Sequence, residues 1–302
     1  MPSSTLTIDE TKNNNSGNDK SGKFFIKLAS ALIVVSLLYL AAAMLIPKSD
    51  DGPDLYDTNV LKAQRYMSSE TPFDVVVTGS SMASVLDIAT YGDTYYNLSF
   101  SGGCSLTGLE LIERKGASTG EYPDVIFVEI SDSMINGVDS DIIGKTEGLG
   151  NTFFGRLDNR PDYLFYSLVK AVYYRNKEKA LNDYGVVDEK IAYWAGVKSC
   201  PVNQDDMNEY METAKGYVDR LTANGCRVIL LELPNDASFY DMAEPVQVRE
   251  TALLYFPKDT YEWYMTDWSE YILSDGIHMG KLSAHIYTEK LLNEYIFSGN
   301  ND

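Results

Sequence analysis

The sequence predicts a three-layer α/β domain on a parallel β-sheet, preceded by one transmembrane helix. An uncharged apolar stretch, LASALIVVSLLYLAAAMLI, occupies positions 28–46. Beyond it, short β-branched apolar runs alternate with longer segments that have the periodicity of helices. This alternation is typical of parallel strands joined by helical crossovers, and it defines the predicted fold class.

The composition limits the classes of partner and cofactor. The chain has 302 residues and a formal net charge of -19. Because phosphate binding requires basic patches, this charge argues against a nucleic-acid partner. The cysteines and carboxylates show no spacing that is typical of metal ligands, so the sequence predicts neither a metal nor another cofactor.

The N-terminal region divides into three segments. Residues 1–23 are polar and are predicted to form a disordered cytoplasmic tail. Residues 24–47 are predicted to be a membrane anchor, since about 20 apolar residues cross a bilayer. Lysines precede the span and aspartates follow it, which predicts a single-pass protein of the cell membrane with an extracytoplasmic main domain. A cleaved signal peptide is the alternative, because small residues occur at 41–43.

The remaining chain is divided into a linker and one domain. Residues 48–70 are predicted to be a linker with a first amphipathic segment, and residues 71–302 the domain. Buried strands are predicted from apolar runs bounded by glycine or proline, at 73–78, 95–100, 124–130 and 226–233. Helices are predicted at 105–114, 162–181, 205–223 and 286–295. The sheet is predicted to be of the flavodoxin-like type.

A helical insertion is predicted at about 134–204, between the third and fourth strands. It is rich in tyrosine and also contains Trp194. These aromatic side chains either pack the insertion onto the sheet or form a platform for sugar rings or an acyl chain.

Three polar motifs are predicted near the carboxyl ends of the strands, where ligands bind in open parallel sheets. Gly79-Ser80-Ser81 follows the first strand, and a helix is predicted from Ala83. Here Ser81 is either a helix cap or a nucleophile near a helix N-terminus. A second motif runs from Asn97 to Gly102, where glycine lets a backbone N–H approach a ligand closely. An ordinary strand-to-helix turn is the alternative.

The third motif, Asp275-Gly-Ile-His278, lies near the C-terminus. A serine nucleophile needs a base, and a catalytic histidine needs a carboxylate that orients it. The chain has two histidines, and only His278 has an acidic residue three positions before it. His285 is expected at the surface of the last helix.

Together the three motifs resemble those of the SGNH/GDSL hydrolase superfamily. The resemblance implies that Ser81 is the nucleophile, that His278 activates it, and that Asp275 orients His278. It also implies an oxyanion hole to which Ser81 and Gly102 contribute.

One motif departs from the pattern of the superfamily. Its members usually have Gly-x-Asn-Asp after the third strand, whereas this chain has Ser131-Asp132-Ser133. Ser133 is expected to replace the missing asparagine in the oxyanion hole, with Asn136 as the alternative. Asn235, after the fourth strand, is expected to contact the substrate, unless it only forms an Asx turn.

This departure and the single span resemble the membrane-anchored branch of the superfamily. Its members are similar to accessory proteins of teichoic-acid D-alanylation and exopolysaccharide O-acetylation. The resemblance implies acyl transfer or ester hydrolysis, of O-acetyl type, on a cell-envelope polysaccharide or teichoic acid through an acyl-Ser81 intermediate. It also implies a multi-pass membrane O-acyltransferase as partner. The alternative is a catalytically degenerate protein that binds glycan or serves as a scaffold.

Overall fold

The computed structural model describes residues 16–174 and 187–298, which belong to two compact units. In the first unit, helix α1 (Ser16–Leu45) contains a stretch, Lys23–Leu45, that is long and apolar enough to cross a membrane. The predicted disordered tail is wrong for residues 16–23, since α1 already begins at Ser16. A helix formed in an apolar span extends into polar flanking residues at little cost. Residues 1–15 lie outside the described part.

The second unit, Lys48–Asp302, contains a parallel five-stranded sheet with the order β2-β1-β3-β4-β5. Its strands are β1 (Val75–Thr78), β2 (Tyr95–Asn97), β3 (Val125–Glu129), β4 (Arg227–Glu232) and β5 (Glu262–Met265). This is the strand order of flavodoxin-like sheets, so the predicted fold class is confirmed. Strand β5 was missed because it is short and its sequence, EWYM, has no β-branched run.

Helices cover both faces of the sheet. The described α-helices of this unit are α2 (Leu55–Ser68), α3 (Ser105–Thr119), α4 (Ser140–Lys145), α5 (Pro161–Tyr174), α6 (Asp188–Lys198), α7 (Gln204–Ala223), α8 (Ala243–Tyr255) and α9 (Lys281–Leu292). Val76 of β1 packs with residues of α2, α3, α7 and α8, whereas its neighbours Val75 and Val77 pack with residues of α9. Alternate side chains of one buried strand thus enter two apolar layers, which gives the three-layer architecture.

The stretch predicted as a helical insertion contains α4, α5 and α6. The helix predicted at 162–181 is described only as far as Tyr174, and its remainder lies outside the described residues. Tyr163 on α5 is almost fully buried, and its hydroxyl donates to the carbonyl oxygen of Ser49. At this position the aromatic ring therefore packs the fold.

The predicted linker at 48–70 is wrong, because its amphipathic segment is helix α2 of the domain. Val60, Leu61 and Tyr66 are buried in the same apolar cluster as residues of α3 and β1. The buried amide of Gln64 donates to the carbonyl oxygen of Lys145 and accepts from the N–H of Leu157. These contacts make α2 part of the domain, which begins at Lys48 rather than near residue 71.

Candidate active site

The turn after β1 presents Ser81 at the carboxyl edge of the sheet. Ser81 is half-buried, and the residues that follow form a single 3₁₀ turn, Ala83–Val85. The prediction of a longer helix from Ala83 is therefore wrong. The side-chain amide of Asn97 donates to the carbonyl oxygens of Ala83 and Leu86, at 2.9 and 2.8 Å. Because these carbonyl oxygens accept from Asn97, the turn is hydrogen-bonded to the end of β2 and does not continue as a helix.

The C-terminal motif is a tight turn closed by the paired residues Leu273 and Met279. Gly276 has φ +94°, a left-handed conformation that favours glycine. One carboxylate oxygen of Asp275, Oδ1, accepts the backbone N–H groups of Ile277 and His278, at 3.2 and 2.9 Å. These two hydrogen bonds within the turn fix the orientation of the Asp275 carboxylate and leave its second oxygen, Oδ2, available for another partner.

Ser81, His278 and Asp275 form a continuous hydrogen-bonded chain. The Nδ1 atom of His278 lies 2.9 Å from Oδ2 of Asp275, and its Nε2 atom lies 2.8 Å from Oγ of Ser81. Because an ionised carboxylate only accepts hydrogen bonds, Nδ1 of His278 carries the ring proton and donates a hydrogen bond to Asp275. In this tautomer Nε2 is free to accept the hydroxyl proton of Ser81, which is the arrangement of a serine nucleophile and its base.

The electrostatics of Asp275 favour its ionised form. Partial burial raises the pKa of its carboxyl group, but hydrogen bonds from the ring and the backbone of His278 outweigh this, and the net pKa is lowered. The carboxylate therefore stays charged around neutral pH and can stabilise an imidazolium at His278.

Among the described residues, two backbone N–H groups at the ends of β1 and β2 donate no hydrogen bond, those of Ser81 and Gly102. Gly102 has φ +75°, and a Cβ atom there would meet nothing within 4 Å, so the backbone angle rather than space favours glycine. Free N–H groups are what an oxyanion hole requires, and both of them belong to residues for which the family resemblance implies that role, which stays a prediction.

Ser133 lies in the 3₁₀ turn that follows β3, Asp132–Asn136. Its hydroxyl is 2.6 Å from that of Ser131, which in turn lies 2.7 Å from Oε1 of Glu129. The structure thus gives Ser133 a protein partner, and its role as an oxyanion donor stays a prediction. Asn136, the alternative, is exposed at the end of the same turn.

A small cavity of about 30 Å³, lined by both polar and apolar side chains, lies next to the nucleophile turn. It is lined by residues at or after the carboxyl ends of β1, β3, β4 and β5 and by residues of α6 and α8: Met82, Ile130, Ser131, Asp132, Lys198, Glu232, Leu233, Asn235, Glu244, Pro245, Val248 and Trp268. Asn235 is 8% exposed, and its side-chain oxygen has no hydrogen-bond partner. A buried, unpaired acceptor is costly, so Asn235 is suited to contact a bound group as predicted.

A buried cluster of charges forms one wall of this cavity. The amino group of Lys198 lies 2.9 Å from Glu244 and 3.3 Å from Asp132, so α6, α8 and the turn after β3 meet at one cation. Burial, followed by the charge of Asp132, raises the pKa of Glu244 to about 7, although Lys198 acts in the opposite direction.

Sequence reasoning missed Glu129 and the charge cluster around Lys198. Glu129 is the one charged residue within the apolar run VIFVEI, and charged residues are almost never fully buried without partners. That pattern was a usable signal. No comparable signal identified Lys198, because the elements that surround it are far apart in the sequence.

His285 is not a simple surface residue as predicted. It lies on α9, about one-third exposed, and its Nδ1 atom is 2.9 Å from Asp87 and 3.3 Å from the hydroxyl of Tyr91. The ring of His285 therefore contacts Asp87 and Tyr91 rather than Ser81. In the described residues, no group of three or more His, Cys, Asp or Glu side chains could hold a metal ion.

Comparisons with known proteins give matches in structure but not in sequence. No protein-family model matches the chain, and no curated protein matches its sequence. A proposed acylhydrolase from Bacteroides fragilis is 13% identical, with a TM-score of 0.38, and the match covers 78% of this chain and 94% of that one. A GDSL-like lipase from Bacteroides thetaiotaomicron is 12% identical, with a TM-score of 0.41 and coverages of 80% and 99%. A protein proposed to be a platelet activating factor, from Streptococcus pneumonia, is 13% identical, with a TM-score of 0.38 and coverages of 88% and 98%.

Proposed function

We propose that this protein is a serine-dependent acyl-ester enzyme that acts through an acyl-Ser81 intermediate. The observation that carries the proposal is the hydrogen-bonded chain from Ser81 through His278 to Asp275, with distances of 2.8 and 2.9 Å. Serine becomes an effective nucleophile only when a base is placed to take its proton, and this chain meets that condition.

The geometry supports a two-step acyl exchange. Ser81 Oγ attacks the ester carbonyl carbon while its proton passes to Nε2 of His278, and the N–H groups of Ser81 and Gly102 face the negative oxygen. The tetrahedral intermediate then collapses, the leaving alkoxide takes the proton from His278, and the acyl group remains on Ser81. In the second step a hydroxyl of water or of a sugar attacks, and the proton returns to Ser81 by the reverse route.

The cavity lined by Met82, the residue after Ser81, supports a short acyl group. Its volume of about 30 Å³ is room for about two water molecules, at about 10–15 Å³ each, and its wall includes the charged side chains of Lys198, Glu244 and Asp132. A long hydrocarbon chain requires a larger and mainly apolar pocket. An acetyl-sized group fits this site better than a fatty acyl chain does.

We further propose that the acceptor is a cell-envelope glycan outside the cytoplasm. The span at Lys23–Leu45 is suited to hold the domain at a membrane. The net charge of -19 favours an uncharged polysaccharide over a polyphosphate such as teichoic acid, because like charges repel. As the resemblance implies, a multi-pass membrane O-acyltransferase would supply the acyl group.

The test uses the full-length protein in detergent, with aryl acetate as donor and a neutral oligosaccharide as acceptor. Wild type should release the aryl alcohol and acetylate the sugar, whereas Ser81→Ala and His278→Ala should do neither. Ser118→Ala, an exposed serine of α3 away from the site, is the matched control and should behave as wild type. Oligosaccharide binding without any Ser81-dependent turnover would instead support the degenerate binding protein.

A further inference from the structure

Glu129 is a fully buried carboxyl group at the end of β3, directly below the nucleophile turn. Its Oε2 atom accepts the backbone N–H of Ser80 at 2.7 Å, and the hydroxyl of Ser80 lies 2.8 and 3.0 Å from its two oxygens. Its Oε1 atom lies 2.7 Å from the hydroxyl of Ser131. One carboxyl group therefore joins the turn that carries Ser81 to the turn that carries Ser133.

The register of the sheet explains why these turns meet. Strands β1 and β3 are parallel neighbours, with Thr78 paired to Val128, so their chains leave the sheet side by side. A Cβ atom on Gly79 would lie 2.4 Å from Oε2 of Glu129, which shows how closely the carboxyl group fits under the turn. Among the described residues, no other side chain is hydrogen-bonded to both of these turns.

In this contact chain, the protonation state of Glu129 determines the direction in which the hydroxyl of Ser133 donates. If Glu129 is ionised it has no proton, so Ser131 must donate to it. The hydroxyl of Ser131 then has no proton left for the 2.6 Å contact with Ser133, and Ser133 must donate there instead. The single hydroxyl proton of Ser133 is then used within the protein and cannot serve a substrate.

If Glu129 is neutral, the chain runs in the other direction. The proton on Oε1 goes to Ser131, Ser131 donates to Ser133, and the hydroxyl proton of Ser133 is free. Meanwhile Oε2 still accepts the N–H and hydroxyl of Ser80, and the hydroxyl of Ser80 still accepts the N–H of Met82 at 3.1 Å. All contacts of the ionised state persist. Only the hydrogen bonds between Glu129 and Ser131 and between Ser131 and Ser133 reverse their direction.

We propose that Glu129 is a positioning residue of the oxyanion hole, which in its neutral form frees the Ser133 hydroxyl to donate to the developing oxyanion. This inference rests on the proposed function, in which Ser81 and Gly102 supply the other two donors. It also gives the chain a donor in place of the asparagine that is missing from the motif after β3, Ser131-Asp132-Ser133.

The surroundings of Glu129 support the neutral form. Burial raises its pKa above the ordinary value, and the charge of Asp132 adds to the rise, against the hydrogen bonds from Ser131 and Ser80. Tyr287 on α9 and Cys104 before α3 also interact with it, and burial raises the pKa of both, so they are neutral at ordinary pH. Among the residues described, no cation appreciably lowers the pKa of Glu129.

The sign of the pH dependence follows. Activity that requires neutral Glu129 is present below its raised pKa and is lost as the pH rises through it. Glu129 therefore gives a descending limb in the pH profile of kcat.

The experiment combines kinetics with infrared spectroscopy on the full-length protein. With aryl acetate, Ser133→Ala should lower kcat by about 10²–10³, the usual cost of losing one oxyanion donor. Glu129→Gln, whose amide donates to Ser131 at every pH, should abolish the descending limb. Glu262→Gln is the control, because Glu262 lies at the amino end of β5, away from the carboxyl edge of the sheet that carries Ser81. It should leave the pH profile unchanged.

The infrared titration decides the matter independently of activity. The difference spectrum between wild type and Glu129→Gln should contain the carbonyl stretch of one neutral carboxylic acid, and that band should fade over the pH range in which kcat falls. An ionised Glu129 throughout, an unchanged kcat in Ser133→Ala, or a descending limb that persists in Glu129→Gln would each overturn the inference. Absence of Ser81-dependent turnover in wild type would instead refute the proposed function.

Discussion

Replacing Asp275 by asparagine is the sharpest perturbation of the site, because it changes one proton position and little else. The Oδ1 atom of Asp275 accepts two backbone N–H groups, and an asparagine oxygen can keep both bonds. Its amide nitrogen would then take the place of Oδ2 and donate to Nδ1 of His278. The imidazole would be forced into the tautomer with its proton on Nε2, facing Ser81, and would have no lone pair for the serine proton.

The expected loss is large and mainly in kcat. A wrong tautomer in a serine triad lowers kcat by about 10⁴, equivalent to about 5 kcal/mol of transition-state stabilisation at 1.36 kcal/mol per tenfold. The assay is hydrolysis of an aryl acetate by full-length wild type and Asp275→Asn at equal concentration, with circular dichroism to show that both are folded.

A matched control is available at the N-terminus of α4. Asp139 caps this helix by accepting the N–H groups of Asp141 and Ile142, and asparagine caps helices equally well. Asp139→Asn should therefore keep wild-type kcat. A kcat for Asp275→Asn within tenfold of wild type would refute the assignment of Asp275 as the group that orients His278.

Three further predictions concern the packing and the charges that hold the site. Lys198→Met leaves the carboxylates of Glu244 and Asp132 without their shared cation and should lower the free energy of unfolding, measured in urea, by about 3 kcal/mol; an unchanged unfolding midpoint would contradict the cluster. Because the pKa of Glu244 is raised to about 7, the folded state holds its proton more tightly, so stability should fall as the pH rises from the ordinary glutamate value through 7. Glu244→Gln should flatten that fall, and an equal slope in both proteins would contradict it. Gly108→Ala places a Cβ atom 1.9 Å from the hydroxyl of Thr78 and should cost about 1–3 kcal/mol, whereas Gly144→Ala, with open space around it, should raise stability by up to about 1 kcal/mol.

Local patterns in the sequence were sufficient for the fold class. Buried parallel strands are short apolar runs, and β1, β3 and β4 were each predicted within two residues of their observed ends. The edge strand β5 has no such run and was missed. Helix α2 was read as a linker because its buried positions include Asn59 and Gln64, whose partners lie far along the chain.

The candidate site was predictable where spacing alone constrains it. An acid three residues before a histidine predicted the pair Asp275 and His278, and their side chains do meet. The buried partners of the nucleophile turn could not be predicted in this way. Glu129 reaches Ser80 because two strands are neighbours in the sheet, and Lys198 reaches Glu244 because α6 packs near α8. Both contacts depend on tertiary arrangement, which no short motif encodes.

The central claim, that Ser81 carries the acyl group, is tested most directly by intact-mass spectrometry. Full-length wild type would be mixed with an aryl acetate, quenched in acid within the first turnovers, and digested. The account predicts a mass increase of one acetyl group, located on the peptide that contains Ser81 and absent from Ser81→Ala. An acetyl group that maps to another residue, or turnover that persists in Ser81→Ala, would contradict it.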